Sequence, residues 1–279
     1  MRRGRVLLGD NLSVLSTLQD GTVDLIYVDP PFNTGHEQKL ERLRTIRDDA
    51  GGDRTGFQGR RYRTVRLGAT RYVDVFDDYL TFLEPRLCEF RRVLKHTGSL
   101  YIHLDYREVH YVKVLLDSIF GRSCFLNEVI WAYDYGGRPR RRWPPKHDSI
   151  LVYVRDPRDY FFDADAAERI PYMAPSLVGP EKAARGKRLT DTWFQTIVPT
   201  NGRERTGYPN QKPLAIVRRI VRTSSPPDGM VADFFAGSGT TGVAAHESGR
   251  QFLLVDSSLD ALAVMRRRFA GYDGVEFGP

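Results

Sequence analysis

An acid, two prolines and an aromatic residue stand together in the sequence V-D-P-P-F-N-T-G, residues 28–35. They follow the run V-D-L-I-Y, which has the composition of a strand. Neither proline can donate to a strand ladder, and each disfavours helical geometry in the residue before it. The strand is therefore predicted to end at Asp29 in a stiff turn that presents Asp29 and Phe32. A purely structural turn could have the same residues, so a functional interpretation needs support from elsewhere in the chain.

A second candidate site is the sequence V-A-D-F-F-A-G-S-G-T-T, residues 231–241. It predicts a strand, a Gly-rich turn and a helix start, which together let the backbone approach a nucleotide-like ligand closely. A triphosphate-binding loop would need a lysine after Gly239, and none is present. Gly237, Gly239 and Gly242 match the dinucleotide pattern G-x-G-x-x-G, although that pattern alone is weak evidence.

Two acids favour a ligand other than a dinucleotide. Asp233 precedes the first glycine of the turn, where a carboxylate suits an ammonium or hydroxyl group better than a pyrophosphate. Asp256 ends the next predicted strand and is well placed for a ribose diol. A cationic, phosphate-free nucleoside with an amino-acid tail fits both acids, and S-adenosylmethionine is such a molecule. The alternatives are a Gly-rich turn that only packs and an NAD-dependent oxidoreductase, which the D-P-P-F sequence disfavours.

The elements that must position these residues alternate between strands and helices. Predicted strands cover residues 5–8, 23–28, 98–105, 127–133, 149–154, 230–235 and 251–256. Predicted helices cover residues 11–18, 77–95, 111–120 and 212–222, and two more run to His246 and to about Phe269. The alternation predicts an α/β fold with a doubly wound, mostly parallel, seven-stranded sheet. An antiparallel hairpin is predicted at the sheet edge, on either side of residues 136–147.

Two segments interrupt this alternation. Residues 36–75 lose apolar periodicity and mix arginines with Gly and Asp, which predicts a mobile basic insertion. Residues 157–207 are weakly periodic and rich in Pro, Gly and charge, which predicts a small irregular subdomain. The predicted catalytic and cofactor-binding domain therefore comprises residues 1–35, 76–156 and 208–279.

Composition narrows the class of protein. A chain of 279 residues with 41% hydrophobic residues can bury a sizeable core, so it is globular. The formal net charge of +7 favours a polyanionic partner, and 11% aromatic residues make nucleic acid attractive because bases stack on such rings.

Cys88 and Cys124 lack metal-ligand spacing, so no metal site is predicted. No membrane span or signal peptide is recognised, and a cytoplasmic location without a membrane partner is expected.

The two candidate sites together resemble the amino-methylating DNA methyltransferases, which methylate N6 of adenine or N4 of cytosine. The order of the two motifs along the chain, with D-P-P-F at 29–32 before F-A-G-S-G at 235–239, is similar to that in the beta class of the family. Further matching stretches are G-D-N (9–11), G-S-L-Y-I-H-L-D (98–105), N-E-V-I-W (127–131), K-H-D-S-I-L-V-Y (146–153) and Y-P-N-Q-K-P (208–213). The resemblance implies a Rossmann-like methyltransferase fold, S-adenosylmethionine as cofactor and double-stranded DNA as partner.

The resemblance also implies roles for individual residues. The implied catalytic residues are Asp29, Pro30, Pro31 and Phe32. The implied cofactor-binding residues are Asp10, Asn11, Asn210, Gln211, Lys212, Asp233, Phe235, Ala236, Gly237, Ser238, Gly239, Thr240 and Asp256. Phe234 stands where the family often has Pro, and Asn210 where Thr is usual, which leaves the Asn210 contact open.

The chemistry implied for D-P-P-F concerns an exocyclic amine, a poor nucleophile because its lone pair is delocalised into the base. Hydrogen bonds accepted by the Asp29 carboxylate and the Pro30 carbonyl would turn the nitrogen towards tetrahedral geometry and free that pair. The base must first leave the duplex, and Phe32 would stack on it with a gain of roughly 1 to 3 kcal/mol. Adenine N6 is favoured, since cytosine N4 enzymes more often have Ser at the position of Asp29. Cytosine N4 stays open.

Two basic segments are predicted to contact DNA. The turn at 136–147 contains Arg138, Arg140, Arg141, Arg142 and Lys146 with no acid among them, and Trp143 within it could stack or wedge. An ordinary solvated hairpin is the alternative. Arg60, Arg61 and Arg63 of the insertion are also expected to contact phosphates, with solvated disorder as the alternative.

Other aspects of function stay open at this point. The resemblance places target recognition in residues 157–207 without identifying the target sequence. It leaves open a homodimer and a cognate restriction endonuclease as partner. The rival classes are the same fold acting on RNA or on a protein amide, and a non-catalytic nucleic-acid-binding module.

Overall fold

Strands and helices alternate along most of the computed structural model, which describes residues 4–33, 38–47, 51, 54–55, 61–72, 78–199 and 201–278. The strands, numbered in chain order, are β1 (Gly4–Leu8), β2 (Val23–Val28), β3 (Gln38–Arg47), β4 (Arg54–Thr55), β5 (Arg61–Tyr72), β6 (Leu94–Leu104), β7 (Phe125–Ala132), β8 (His147–Val154), β9 (Arg169–Ile170), β10 (Lys187–Arg188), β11 (Thr192–Phe194), β12 (Met230–Asp233), β13 (Gln251–Asp256) and β14 (Val275–Gly278). The α-helices are α1 (Asn11–Leu15), α2 (Tyr79–Val93), α3 (Val109–Phe120), α4 (Pro180–Arg185), α5 (Leu214–Ser224), α6 (Thr240–Glu247) and α7 (Leu259–Arg268).

The main sheet has nine strands in the order β11-β7-β8-β6-β2-β12-β13-β1-β14. Strand β8 pairs antiparallel with β6 and β7, and the other pairings in this sheet are parallel. The prediction of a doubly wound, mostly parallel α/β sheet with an antiparallel hairpin is confirmed.

The predicted count of seven strands is wrong because two short edge strands, β11 and β14, extend the sheet. Strand β11 has only three residues, with buried Trp193 between exposed Thr192 and Phe194. Strand β14, with the sequence V-E-F-G, contains an acid and a glycine that weaken the apolar pattern from which a strand is predicted. Because β11 pairs with β7, the β7–β8 hairpin lies one strand inside the edge.

The basic insertion also contains strands that the sequence analysis did not predict. Strands β3 and β5 pair antiparallel, from Gln38 opposite Tyr72 to Arg47 opposite Tyr62. Strand β4 pairs with β5, which gives a separate three-stranded sheet. Arginine recurs through β3 and β5, so the apolar alternation that indicates a strand is weak there. The mobility of this insertion stays a prediction, as do the domain boundaries.

Apolar side chains cover both faces of the sheet and fix its position. In β2, Ile26 and Val28 belong to the cluster formed with α2 and α3, whereas Leu25 and Tyr27 belong to the cluster formed with α5, α6 and α7. Strand β2 is buried along its whole length, as expected for a parallel strand covered on both faces. Parallel strands end at the same sheet edge, so the residues that follow β1, β2, β12 and β13 converge there.

Candidate active site

A cavity of about 360 Å³ lies at the carboxyl ends of β1, β2, β12 and β13, and its volume suits a small molecule or cofactor. The predicted site residues in its lining are Asp10, Asn11, Asp29, Pro30, Pro31, Phe32, Asn210, Gln211, Lys212, Asp233, Phe235, Ala236, Gly237, Ser238, Thr240 and Asp256. The structure thus brings the tetrapeptide after β2 and the turn after β12 into one cavity. Gly239 was predicted to bind the cofactor and is absent from this lining.

Gly237 and Gly239 have different surroundings although both have left-handed backbone geometry. Gly237 has φ +49°, and a Cβ there would lie 2.9 Å from the ring of Tyr208, which also lines the cavity. Gly239 has φ +76°, and a Cβ there would lie 2.9 Å from Met265 in the core. Gly237 therefore shapes the cavity wall, while Gly239 allows the turn to pack against α7.

The Asp29 carboxylate is paired on one side only. Its Oδ2 forms an ion pair with Lys212 Nζ. Its Oδ1 is buried and has no hydrogen-bond partner among the described residues. Lys212 Nζ also lies 4.7 Å from the centre of the Phe32 ring, so one ammonium group contacts the side chains of both Asp29 and Phe32. A buried acceptor without a partner is costly, and Asp29 Oδ1 is therefore a candidate to accept a hydrogen bond from a ligand.

Asp256 and Asp233 organise the backbone of the turn. Asp256 accepts hydrogen bonds from Gly237 N at 2.7 Å and Ser258 N at 2.8 Å. Asp233 accepts hydrogen bonds from Thr241 Oγ1 at 2.5 Å and Phe235 N at 3.0 Å. Burial raises the pKa of Asp233 to about 7, against the effect of these hydrogen bonds and with smaller contributions from nearby carboxylates. Burial likewise raises the pKa of Asp256.

Arg86 of α2 holds the residues after β1, and the sequence analysis did not identify it. Its Nε donates to Asn11 Oδ1 at 2.7 Å, and its Nη2 donates to Asp10 Oδ2 at 3.2 Å. Asn11 Nδ2 in turn donates to the Phe234 carbonyl at 2.9 Å, which joins β1 to the turn after β12. The available signal was a charged residue on the apolar face of α2, beside the core residue Leu87.

Arg268 of α7 supports the Gly-rich turn from outside the cavity and was also missed. Its Nη1 donates to the Ser238 carbonyl at 3.0 Å and to Thr240 Oγ1 at 2.9 Å. Thr240 Oγ1 also lies 3.4 Å from the Lys212 carbonyl oxygen. The turn is therefore connected to the residue that pairs with Asp29. The available signal was its position on the apolar face of α7, four residues after Val264 and three after Met265, whereas Arg267 is exposed.

Asn210 and Gln211 lie in a turn that precedes α5. Asn210 has left-handed geometry with φ +52°, which Asn tolerates better than most residues. Gln211 accepts hydrogen bonds from Thr206 N at 2.8 Å and Thr206 Oγ1 at 2.7 Å, and it donates to the Glu204 carbonyl at 2.7 Å. The side-chain amide of Gln211 thus stabilises the turn, and the same residue lines the cavity.

A buried hydrogen-bond network lies behind Phe32, whose ring centre is 5.8 Å from that of His103. His103 Nδ1 lies 3.1 Å from the Tyr27 hydroxyl, and His103 Nε2 lies 3.0 Å from Asp148 Oδ2. The Tyr133 hydroxyl donates to Asp148 Oδ1 at 3.0 Å. Burial, reinforced by the nearby carboxylates, raises the pKa of both tyrosines, so both hydroxyls keep their protons. A proton on His103 Nε2 can be donated to Asp148 Oδ2, which leaves Nδ1 to accept from the Tyr27 hydroxyl.

The predicted basic turn is the loop between β7 and β8, and it projects at the same sheet edge as the cavity. Strand β8 starts opposite the carboxyl end of β6, where Leu104 pairs with Ser149. Arg138, Arg140, Arg141 and Arg142 are exposed in this loop. Lys146 also stabilises the loop, since its Nζ donates to the carbonyls of Tyr135 at 2.6 Å and Gly136 at 2.8 Å, and its contact with DNA stays a prediction.

The insertion arginines are only partly described. Arg61 and Arg63 are exposed on β5. Arg60 lies outside the described residues. Contact of these three arginines with DNA phosphates stays a prediction.

Two other kinds of feature are absent from the described part of the chain. No cluster of His, Cys, Asp or Glu there could hold a metal ion. No helix in the same residues is long and apolar enough to cross a membrane.

The chain matches the family model of the N6/N4 DNA methylases over residues 23–267. The DNA adenine methyltransferase YhdJ of Escherichia coli strain K12 is 28% identical over 271 residues, which cover 94% of this chain and 81% of that protein. The PvuII DNA methyltransferase, described as cytosine-N4-specific, superposes with a TM-score of 0.65 at 16% identity, over 97% of this chain and 88% of its own. A Thermus thermophilus protein described as a DNA modification methylase, solved in complex with S-adenosyl-L-methionine, superposes with a TM-score of 0.61 at 21% identity, over 99% of this chain and 100% of its own.

Proposed function

The chain belongs to the N6/N4 DNA methylase family and is an S-adenosylmethionine-dependent DNA methyltransferase, and we propose that its acceptor is the N6 amine of adenine. In this proposal the tetrapeptide Asp29–Phe32 binds the reacting base, which has been extruded from the duplex. The turn after β12 binds the methyl donor at the other end of the same cavity. Target recognition is assigned to residues 157–207.

The half-paired carboxylate of Asp29 is the observation that carries this proposal. Lys212 holds Oδ2, so the carboxylate has a fixed orientation, and the buried Oδ1 can accept one hydrogen bond from an exocyclic amine. The Pro30 carbonyl would accept the second. Pyramidalisation of the nitrogen by these two contacts makes its lone pair available for attack. The proton can leave after methylation, because an alkylated ammonium on the base is acidic, so Asp29 orients and polarises the amine.

The donor end of the cavity fits S-adenosylmethionine by the chemistry of its side chains. Asp10, Asp233 and Asp256 all line this end, and their oxygens can accept hydrogen bonds from the hydroxyl and ammonium groups of the ligand. Asp256 keeps lone pairs for a ribose hydroxyl in addition to its two backbone donors. The close approach of Gly237 to Tyr208 leaves no room for a side chain at that wall. When bound, S-adenosylmethionine supplies an electrophilic methyl group.

Adenine is preferred over cytosine because residue 29 is Asp, whereas cytosine-N4 enzymes more often have Ser at that position. The exposed arginines of the β7–β8 loop would contact the phosphates of duplex DNA. We further propose a cytoplasmic location, because similar methyltransferases come from bacteria such as Escherichia coli, whose DNA lies in the cytoplasm. A cognate restriction endonuclease and a homodimer are the partners to be tested.

Nucleoside analysis tests the proposed acceptor. The protein is incubated with duplex DNA and S-adenosylmethionine labelled in its methyl group, and the digested nucleosides are separated. We expect the label in N6-methyladenine. Label in N4-methylcytosine would overturn the choice of base and keep the mechanism. Absence of label from DNA would overturn the proposed activity.

A further inference from the structure

Trp143 is almost entirely exposed to solvent, in contrast to the other two tryptophans. Its side chain is 94% accessible, whereas Trp131 and Trp193 are 3% and 9% accessible. A large aromatic side chain gains free energy by burial, so its exposure at a loop tip is not explained by the stability of the fold. Trp143 directly follows Arg140, Arg141 and Arg142, which are also exposed. An aromatic ring next to several cations suits a nucleic acid, which offers bases for stacking and phosphates for ion pairing.

The loop that carries Trp143 begins beside the predicted base-binding ring. Tyr133 follows β7, and its hydroxyl donates to Asp148 at the start of β8. Asp148 is hydrogen-bonded to His103, whose ring contacts Phe32. The two ends of the loop are therefore joined to the wall of the cavity on the side of Phe32, and not on the donor side.

Contacts within the loop hold it in a defined shape. Lys146 Nζ donates to the carbonyls of Tyr135 and Gly136 across the loop. Arg142 Nη2 lies 3.5 Å from the hydroxyl of Tyr106, which follows β6. These contacts leave the indole of Trp143 at the surface. The loop backbone that carries Trp143 therefore has less conformational freedom to lose when the ring inserts into a ligand.

We propose that Trp143 enters the DNA duplex and stacks in the gap that the extruded base leaves. This inference rests on the proposed function, since it needs a base that leaves the helix. Extrusion costs the stacking and pairing of one nucleotide, and apolar side chains inserted between base steps offset that cost in other proteins that deform DNA. Phe32 then stacks on the extruded base, and Trp143 stacks on the bases that remain.

Single-turnover methylation by Trp143→Ala tests this role. The duplex carries the target site found by mapping the methylated positions, either fully paired or with a mismatch opposite the target base. On the paired duplex we expect the rate to fall by about 5- to 150-fold, which corresponds to the roughly 1 to 3 kcal/mol of one stacking contact. On the mismatched duplex, where extrusion costs less, most of the rate should return. Trp143→Phe should retain more activity than Trp143→Ala on the paired duplex.

Controls separate this role from general loss of function. Tyr111→Ala removes another exposed aromatic ring, on α3, and should leave both rates unchanged. S-adenosylmethionine affinity of Trp143→Ala should match that of the unmodified protein. A rate within twofold of the unmodified protein, or an equal loss on both duplexes, would overturn the inference. The proposed function fails separately, if the unmodified protein transfers no methyl group to DNA.

Discussion

The two ends of the cavity differ in how their carboxylates are used. At the donor end, both oxygens of Asp233 and both oxygens of Asp256 accept hydrogen bonds from the chain itself. At the base end, Asp29 has one oxygen held by Lys212 and one buried oxygen without a partner among the described residues. The donor end is thus assembled by its own contacts, whereas the base end keeps an acceptor for the substrate. Substitutions should therefore affect binding at one end and chemistry at the other.

Asp29→Ala is expected to have the largest effect on catalysis. Loss of one preorganised partner of the reacting group typically costs about 10²- to 10³-fold in rate, and cofactor affinity should change only a few-fold. Asp29→Asn should lose less, because an amide oxygen can still accept a hydrogen bond. Because removal of the carboxylate leaves Lys212 buried and unpaired, Asp29→Ala with Lys212→Met serves as a control for folding. Near-normal turnover by Asp29→Ala would remove Asp29 from the mechanism.

Gly237→Val should act at the other end and abolish cofactor binding before any chemistry. The side chain would collide with Tyr208 and with the space that the ligand needs. Gly239→Ala is the matched comparison, because its Cβ would meet Met265 in the core and should lower the free energy of unfolding instead. Calorimetry with S-adenosylmethionine and denaturant unfolding distinguish the two. Normal affinity in a folded Gly237→Val protein would exclude this turn from the site.

Asp233 should make stability depend on pH. Its pKa is about 7 in the folded protein and near its ordinary value in the unfolded chain, so the folded state binds more protons between about pH 4 and pH 7. The free energy of unfolding should then fall as the pH rises through this range. Asp233→Asn should lack that fall, whereas Asp134→Asn, at an exposed carboxylate, should keep it. Parallel pH profiles for Asp233→Asn and the unmodified protein would contradict the raised pKa.

Arg268→Met should weaken cofactor binding by about tenfold, because the Ser238 carbonyl and the Thr240 hydroxyl lose a charged donor. A hydrogen bond to a charged group contributes roughly 1.5 to 3 kcal/mol, which sets the upper limit of the effect. The neighbouring Arg267→Met removes an exposed charge of the same helix and should have no such effect. The test compares the KM for S-adenosylmethionine with kcat. Equal behaviour of the two variants would show that the turn does not need Arg268.

Arg140→Gln with Arg141→Gln should have the smallest effect, a uniform weakening of DNA binding. Each phosphate contact contributes about −0.9 to the slope of log affinity against log salt, so the slope should flatten by up to roughly 2. Lys146→Met should instead disturb the loop shape, because its ammonium group is bound to two loop carbonyls. Binding titrations over several salt concentrations measure both. An unchanged slope would mean that these two arginines do not contact phosphates.

The parts of the site that form local patterns in the sequence could be predicted. The strand that stops at Asp29 and the Gly-rich turn after Asp233 are visible as local patterns, and the family match confirms the resemblance based on them. Seven strands and the antiparallel hairpin followed from the same periodicity. What could not be predicted depends on contacts between distant segments. Examples are the pairing of Lys212 with Asp29 and the short strand β14, which is stabilised by pairing with β1.

Gly239 and Gln211 make contacts within the chain that their motifs did not predict. Both stand in the matched stretches, yet Gly239 packs against α7 and the amide of Gln211 binds its own turn. Arg86 and Arg268 stand outside the matched stretches, so the motifs did not identify them. Both nevertheless hold residues that line the cavity. A motif identifies which segments meet, and the structure identifies which atoms remain available to a ligand.

The structure of a ternary complex would test the central claim most directly. The complex would contain the protein, an unreactive analogue of S-adenosylmethionine and a duplex with the mapped target site. We predict that the exocyclic amine of the extruded base lies within hydrogen-bond distance of Asp29 Oδ1 and the Pro30 carbonyl, with Phe32 stacked on the base. The analogue should contact Asp256 and the turn at Gly237. A target base bound elsewhere, with Asp29 Oδ1 still lacking a partner, would contradict the account.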